Sequence, residues 1–150
     1  MVMEKKFYIN NLKQLDELAG KIVDNIKYPS VFLLSGDLGS GKTAFTKALA
    51  KHLGVNKHVT SPTFLIHKSY DFNGKTLHHY DLYRLFEYEQ LREIGFEEKN
   101  GQYILVIEWP EQINDLEAKI KKMKNIKSII KINFYHTDYK NKRKLIIKYE

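Results

Sequence analysis

The chain has 150 residues and a formal net charge of +7, with 25 Lys and Arg against 18 Asp and Glu. Hydrophobic residues make up 43% and charged residues 29%, which excludes wholesale disorder and is typical of a soluble domain. The absence of cysteine excludes disulfides, thiolate catalysis and Cys-ligated metal centres. No apolar run is long enough for a spanning helix or a signal peptide, so we expect one cytoplasmic domain over residues 1–150 and no membrane partner.

Apolar periodicity and turn residues divide the chain into strands and helices. In chain order these are a strand over 7–10, a helix over 12–26 capped by Asn10 or Asn11, a strand over 31–34, a helix over 42–53 ended by Gly54, extended segments over 59–61 and 63–70, a turn over 72–75, a strand over 76–80, a helix over 87–94 ended by Gly95, a strand over 103–107, a helix over 111–124, and strands over 126–135 and 144–149. The continuous apolar runs at 31–34 and 103–107 are typical of strands buried on both faces. The order predicts a three-layer α/β fold like that of P-loop NTPases, with a mixed, centrally parallel sheet flanked by helices.

The turn after the first buried strand matches the phosphate-binding pattern G-x-x-x-x-G-K-S/T. Its residues are Gly36, Asp37, Leu38, Gly39, Ser40, Gly41, Lys42 and Thr43. Glycines let the backbone close around a phosphate, and the N–H groups of the loop and of the following helix attract the anion. In such a loop Lys42 reaches the β- and γ-phosphates, and the Thr43 hydroxyl suits Mg²⁺. The sequence therefore predicts a phosphate site with a bound magnesium ion.

Two acids stand where a P-loop enzyme needs them. Glu108 directly follows the apolar strand at 103–107, the place of an acid that holds the magnesium or its water. The alternative for Glu108 is a solvent-facing strand end. Asp81 follows the strand at 76–80 and is a second metal-side or water-orienting acid, with the N-cap of a turn at 82–85 as its alternative. With Lys42, these two acids are the predicted catalytic residues, and Trp109 is predicted to shield Glu108.

Four segments in this order resemble the TsaE (YjeE) family of small bacterial P-loop ATPases: GDLGSGKT at 36–43, SPTF at 61–64, HYDLYRL at 79–85 and IEWPE at 107–111. The resemblance implies a role in forming threonylcarbamoyladenosine in tRNA. Family members leave the carbamoyl transfer to other proteins. They bind and hydrolyse ATP with Mg²⁺ while docked on a TsaD–TsaB heterodimer.

The resemblance also implies roles for particular residues. Thr43 and Glu108 match the family's magnesium ligands, and Asp81 matches the acid of its HxDLYR segment, where His79 is expected to border the site. Ser61 and Thr63 fall in a segment near the nucleotide. The family holds adenine between its N-terminal segment and its C-terminal strands, which here offer Asn11 or Leu12 and Lys142 or Arg143. The match is weakest after Glu117. In the stretch after IEWPE, where family members usually carry a Leu-Pro, this chain has the lysine-rich segment EAKIKKMKNIK.

Charge and arginine content bear on two rival functions. Residues 119–150 carry 11 Lys and Arg and 2 acids, a local charge of +9, whereas the first 118 residues carry 14 and 16, a local charge of −2. A nucleic-acid-binding module with a vestigial P-loop would use this basic segment, so tRNA is expected to meet the protein through it or only indirectly. A P-loop small-molecule kinase usually needs several lid arginines, and the chain has three. With only Arg84 near the predicted site, we expect slow intrinsic turnover that a partner raises.

Overall fold

Seven strands form one mixed sheet in the computed structural model, which describes residues 3–150. The strands are β1 (Met3–Ile9), β2 (Ser30–Gly36), β3 (His67–Phe72), β4 (Lys75–Asp81), β5 (Tyr103–Glu108), β6 (Ser128–His136) and β7 (Arg143–Tyr149). The helices are α1 (Leu12–Asp24), α2 (Lys42–Leu53), α3 (Tyr88–Glu93) and α4 (Leu116–Lys121), with a 3-10 turn at Pro110–Gln112. The spatial order is β1-β7-β6-β2-β5-β4-β3. The four central strands, β6, β2, β5 and β4, are parallel, and β1, β7 and β3 complete the sheet through antiparallel pairs.

Helices cover both faces of the sheet, which confirms the predicted three-layer α/β fold. The apolar run of β2 is continuous because the two faces of the strand pack in different hydrophobic clusters. Phe32 and Leu34 face the cluster that includes α1 and α2, whereas Val31 and Leu33 face the cluster that includes α3 and α4. Each face of the central strands is therefore buried in its own hydrophobic core.

Two of the predicted elements are wrong in part. The extended segment at 63–70 becomes a strand only from His67, because the preceding residues turn back: the N–H groups of Leu65 and Ile66 both donate to the carbonyl of Pro62. The helix predicted over 111–124 shrinks to the six residues of α4. Asp115, in the left-handed region with φ of 59°, separates that helix from the 3-10 turn before it.

The parallel centre of the sheet decides where a site can form. Strands β2, β5 and β4 end at the same edge, and Glu108 pairs with Leu34 on one side and with Asp81 on the other. Ligand sites in open α/β sheets form at this carboxyl edge. None of the helices in residues 3–150 is both long and apolar enough to cross a membrane.

Candidate functional site

The loop between β2 and α2 curls tightly over the first turn of α2. Gly36, with φ of 155°, has no room for a side chain, since an added Cβ would lie 2.6 Å from Ser40 Oγ and 2.7 Å from the carbonyl oxygen of Phe134. Gly41 is also in the left-handed region, with φ of 115°, and α2 starts at the next residue. The predicted loop is therefore built at the N-terminus of a helix, whose free N–H groups attract anions.

Lys42 lies within the loop and is 5% exposed. Its Nζ donates to the carbonyl of Gly36 and, at 3.2 Å, to that of Asp37. The same ammonium stands 3.9 Å from the centroid of the Trp109 ring. Burial lowers the pKa of Lys42, and the carboxylates around it, that of Glu108 foremost, oppose the shift. A phosphate at this place would find a desolvated cation already within reach.

Glu108 and Thr43 meet at the base of the loop. The Thr43 hydroxyl lies 3.1 Å from Oε1 and 3.2 Å from Oε2 of Glu108, to which it donates. The carboxylate is 2% exposed, so Glu108 is a buried group rather than a solvent-facing strand end. A hydroxyl and a carboxylate side by side are the hard oxygen donors that Mg²⁺ takes, so this pair fits the predicted ion. Mg²⁺ usually needs only one or two such groups beside phosphates, and in residues 3–150 no cluster of three His, Asp or Glu forms a protein cage for a metal.

His79 holds the other side of Glu108. Its Nε2 lies 2.5 Å from Oε2, and its ring is completely buried. Since an ionised carboxylate only accepts hydrogen bonds, Nε2 is the donor. Nδ1 of the same ring is buried without a hydrogen-bond partner. His79, which was expected to border the site, therefore contacts Glu108 directly.

Asp81 lines the site and also caps the turn that follows it. Its Oδ2 accepts from the Thr63 hydroxyl at 2.8 Å, and its Oδ1 accepts from the N–H of Tyr83 at 3.0 Å. The Ser61 hydroxyl lies 2.6 Å from that of Thr63. The capping alternative is therefore correct, and the same carboxylate still faces the cavity described next.

Two adjoining cavities share the residues at the centre of the loop. The first, of about 390 Å³, is lined by the loop and by Ser61, Thr63, Asp81, Glu108 and Trp109. The second, of about 420 Å³, is more apolar and lies between the start of α1, β6 and β7. Its walls include Asn11, Leu12, Leu15, Phe134, Asn141 and Arg143. The pair of cavities has one polar and one apolar compartment, as a nucleotide requires.

Three of the four residues predicted in two pairs for an adenine site line the second cavity. Asn11 is the N-cap of α1, accepting from the N–H of Gln14 at 2.9 Å, and it lines the cavity together with Leu12. Arg143 lines it too and donates to the carbonyl of Gly39 at 3.4 Å. Lys142, the other residue predicted for this side, is not among the residues that line this cavity.

Phe134 and Asn141 line the second cavity without any motif to indicate them. Phe134 reaches the loop because β6 pairs with β2, a contact between residues about 100 positions apart. Asn141 belongs to the loop between β6 and β7. A hydrophobic alternation predicts that Phe134 faces a core, but only the strand order tells which residues lie beside it.

Comparison with known proteins places the chain among related sequences. A family model described as "Threonylcarbamoyl adenosine biosynthesis protein TsaE" matches residues 9–145. The chain is 40% identical over 109 residues to a Rickettsia felis protein, a match that covers 72% of this chain and 64% of that protein. It is 37% identical over 136 residues to a Rickettsia typhi protein, covering 84% of this chain and 94% of that one. Both relatives carry the name "tRNA threonylcarbamoyladenosine biosynthesis protein TsaE".

A solved structure is similar over nearly the whole chain. The crystal structure of Bacillus subtilis YdiB superposes with a TM-score of 0.71 at 26% sequence identity, covering 99% of this chain and 86% of that one. The likeness agrees with the mixed α/β sheet described above.

Proposed function

The chain belongs to the TsaE family, and from that premise we propose that it binds ATP with Mg²⁺ and hydrolyses it slowly in support of threonylcarbamoyladenosine formation in tRNA. The observation that carries the proposal is the pair formed by the half-buried Thr43 and the buried Glu108 at the base of the phosphate loop, with Oγ and Oε1 3.1 Å apart. A carboxylate that only ends a strand would point to solvent, whereas that of Glu108 is 2% exposed and lines the cavity beside the loop. Thr43 and His79 hydrogen-bond this carboxylate and so hold it next to the loop.

The loop would bind the phosphates through its backbone N–H groups, through the ammonium of Lys42 and through a magnesium ion. The N–H groups of 36–43 and the first turn of α2 stabilise the negative charge. Lys42 exchanges its loop carbonyl acceptors for phosphate oxygens, and Thr43 and Glu108 would hold the magnesium. When bound, Mg²⁺ neutralises charge on the β- and γ-phosphate oxygens.

The second cavity is the proposed adenine site. Its volume of about 420 Å³ and its apolar walls suit a purine ring. Leu12 and Phe134 offer flat or aliphatic contact surface, whereas Asn11 and Arg143 provide polar atoms at its rim. Of the two residues predicted for its C-terminal side, Arg143 lines this cavity and is the one included in the proposal.

Slow hydrolysis follows from what the phosphate cavity lacks. No arginine lines it among residues 3–150, and Arg84 stacks instead on the ring of Phe64, with its guanidinium 4.4 Å from the ring centroid. Asp81 remains to orient a water, and its carboxylate is fixed by Thr63 and the following turn. A partner that supplies a cation at the γ-phosphate would raise the rate by a factor of about 10³–10⁵. We propose that TsaD–TsaB, in the cytoplasm where tRNA is modified, is that partner.

The test is phosphate release from ATP by the chain alone, by the chain with TsaD–TsaB, and by the Lys42→Ala variant in both settings. We expect a slow rate that TsaD–TsaB raises, with stimulation and tRNA modification both lost in Lys42→Ala. A phosphorylated small-molecule acceptor in place of free phosphate would instead identify a kinase. A fast rate for the isolated chain that TsaD–TsaB leaves unchanged would contradict the proposal.

A further inference from the structure

At the β1 end of the sheet, part of one face lies outside both hydrophobic cores. In β1, β7 and β6, alternate residues such as Ile9, Phe134 and Ile147 pack in the core with α1 and α2. The residues between them point to the opposite side of the sheet. Within residues 3–150, the core on that side includes no residue of β1 or β7. We call this side the open sheet face, formed by Lys6, Tyr8, Tyr135, Lys144, Ile146 and Lys148.

Exposed tyrosines alternate with exposed or half-buried lysines across the open sheet face. Tyr8 pairs in register with Lys144 of β7, which in turn pairs with Tyr135 of β6, so these three residues are neighbours across three strands. Tyr8 is 57% and Tyr135 42% exposed, large values for aromatic side chains in strands. Lys144 Nζ lies 5.0 Å from the centroid of the Tyr135 ring.

The row of tyrosines and lysines continues into the loop between β6 and β7. Lys142 Nζ lies 5.0 Å from the ring centroid of Tyr8 and 5.7 Å from that of Tyr139, which is 70% exposed. Three aromatic rings and two cations thus occupy adjoining positions at the solvent surface. Aromatic rings in a core would be buried, and these are not.

The charge of this face matches a polyanion. Lys6, Lys142, Lys144 and Lys148 form no ion pair with any acid in residues 3–150. Glu4 on β1 opposes them with one negative charge. Lys131, on the same side of β6, is instead neutralised by Glu117 at 3.0 Å and Glu150 at 3.8 Å, and adds little to this charge.

We propose that the open sheet face binds single-stranded RNA, such as an unpaired loop of a tRNA. The lysines contact phosphates, and the tyrosine rings stack on unpaired bases, the combination by which sheet surfaces hold single strands. An acidic protein segment would satisfy the lysines, but only an unpaired nucleic acid presents a planar base beside each negative charge. The inference rests on the proposed function only for the choice of tRNA, because nothing on this face touches the phosphate loop.

Binding of RNA to the full chain can be measured by fluorescence anisotropy without ATP. The probes are a labelled twelve-nucleotide oligouridylate, an unmodified tRNA transcript and a twelve-base-pair RNA duplex. We expect the oligonucleotide and the tRNA to bind and the duplex to bind more weakly, because its bases are not free to stack. With four phosphates neutralised, affinity for the single strand should fall about 50-fold between 50 and 200 mM salt.

Two variants and a matched control locate the binding face. Lys6→Glu/Lys144→Glu and Tyr8→Ala/Tyr135→Ala should each weaken binding of the single strand by about tenfold or more. The control Lys47→Glu/Lys57→Glu changes the net charge of the chain by the same amount, at two exposed lysines outside the open sheet face. It should lower the affinity for the single strand much less than Lys6→Glu/Lys144→Glu, because it weakens only the overall electrostatic attraction. Thermal unfolding checks that each variant is folded.

ATP binding separates this proposal from the preceding one. Lys42→Ala should lose ATP binding and retain RNA binding, whereas the variants of the open sheet face should do the opposite. Absence of RNA binding, equal loss in the control pair, or equal affinity for duplex and single strand would overturn the proposal. So would binding of an acidic peptide that tRNA fails to displace.

Discussion

The hydrogen bond from His79 to Glu108 should contribute measurable stability, and a double-mutant cycle can isolate it. The two groups are 0% and 2% exposed, and Nε2 lies 2.5 Å from Oε2. A hydrogen bond to a charged group contributes about 1.5–3 kcal/mol net to folding. The change His79→Leu alone mixes two effects, since it removes this bond and also Nδ1, which is buried without a partner. The cycle with Glu108→Met cancels the second effect.

We expect the free energy of unfolding to fall by about 2 kcal/mol more when His79→Leu is made in the natural chain than in the Glu108→Met variant. Urea unfolding followed by circular dichroism at pH 7 measures all four chains. In thermal unfolding the same coupling corresponds to about 4–8 °C. Additive changes, equal within about 0.5 kcal/mol, would refute the reasoning because they would mean that the contact contributes nothing.

Three further outcomes are expected. Burial, reinforced by the charge of a nearby lysine, lowers the pKa of His67 to about 4 and that of His78 to about 3. The unfolded chain therefore takes up protons at a higher pH than the folded chain, and the free energy of unfolding should fall as the pH drops from about 6.5 to about 4. Urea midpoints measured across this range should fall less steeply in the variant His67→Asn/His78→Asn. Gly36→Ala should abolish ATP binding and lower the melting temperature, because its Cβ would lie 2.6 Å from the nearest atom. Gly39→Ala places no atom within 4 Å of the new Cβ and should cost only the strain of a positive φ. Equal losses of ATP binding and melting temperature in the two variants would contradict this. The fluorescence of Trp109, the single tryptophan of the chain, should change on adding ATP with Mg²⁺, because its ring lies 3.9 Å from the ammonium of the loop lysine, and an unaltered spectrum at saturation would contradict that account.

Local patterns were enough to predict the phosphate half of the site. The glycines and Lys42 must be adjacent in sequence because one turn forms the loop. Glu108 could be found because an acid directly after a buried strand lies at the carboxyl edge of a parallel sheet. The same logic places His79 beside it, two residues before Asp81 on a strand where alternate side chains share a face.

The proposed adenine half of the site depends on contacts between distant parts of the chain. Whether Lys142 or Arg143 faces the cavity is decided by the alternation of β7, in which Arg143 lies on the same side as Leu145. That side of β7 meets the phosphate loop only because its partner β6 also pairs with β2, about 100 residues earlier in the chain, and hydropathy alone does not fix the pairing of strands that far apart. The helix after Glu108 was overestimated for a different reason. Its lysine-rich sequence suits a helix, but Asp115 in a left-handed conformation interrupts it.

The central claim is that this site binds ATP through a magnesium ion held by Thr43 and Glu108. Isothermal titration calorimetry of ATP into the chain, with and without Mg²⁺, tests it most directly. We predict one site per chain, affinity that rises with Mg²⁺, loss of that rise in Glu108→Gln, and loss of binding in Lys42→Ala. Binding that is indifferent to Mg²⁺ and unchanged in both variants, or no binding at all, would contradict the claim.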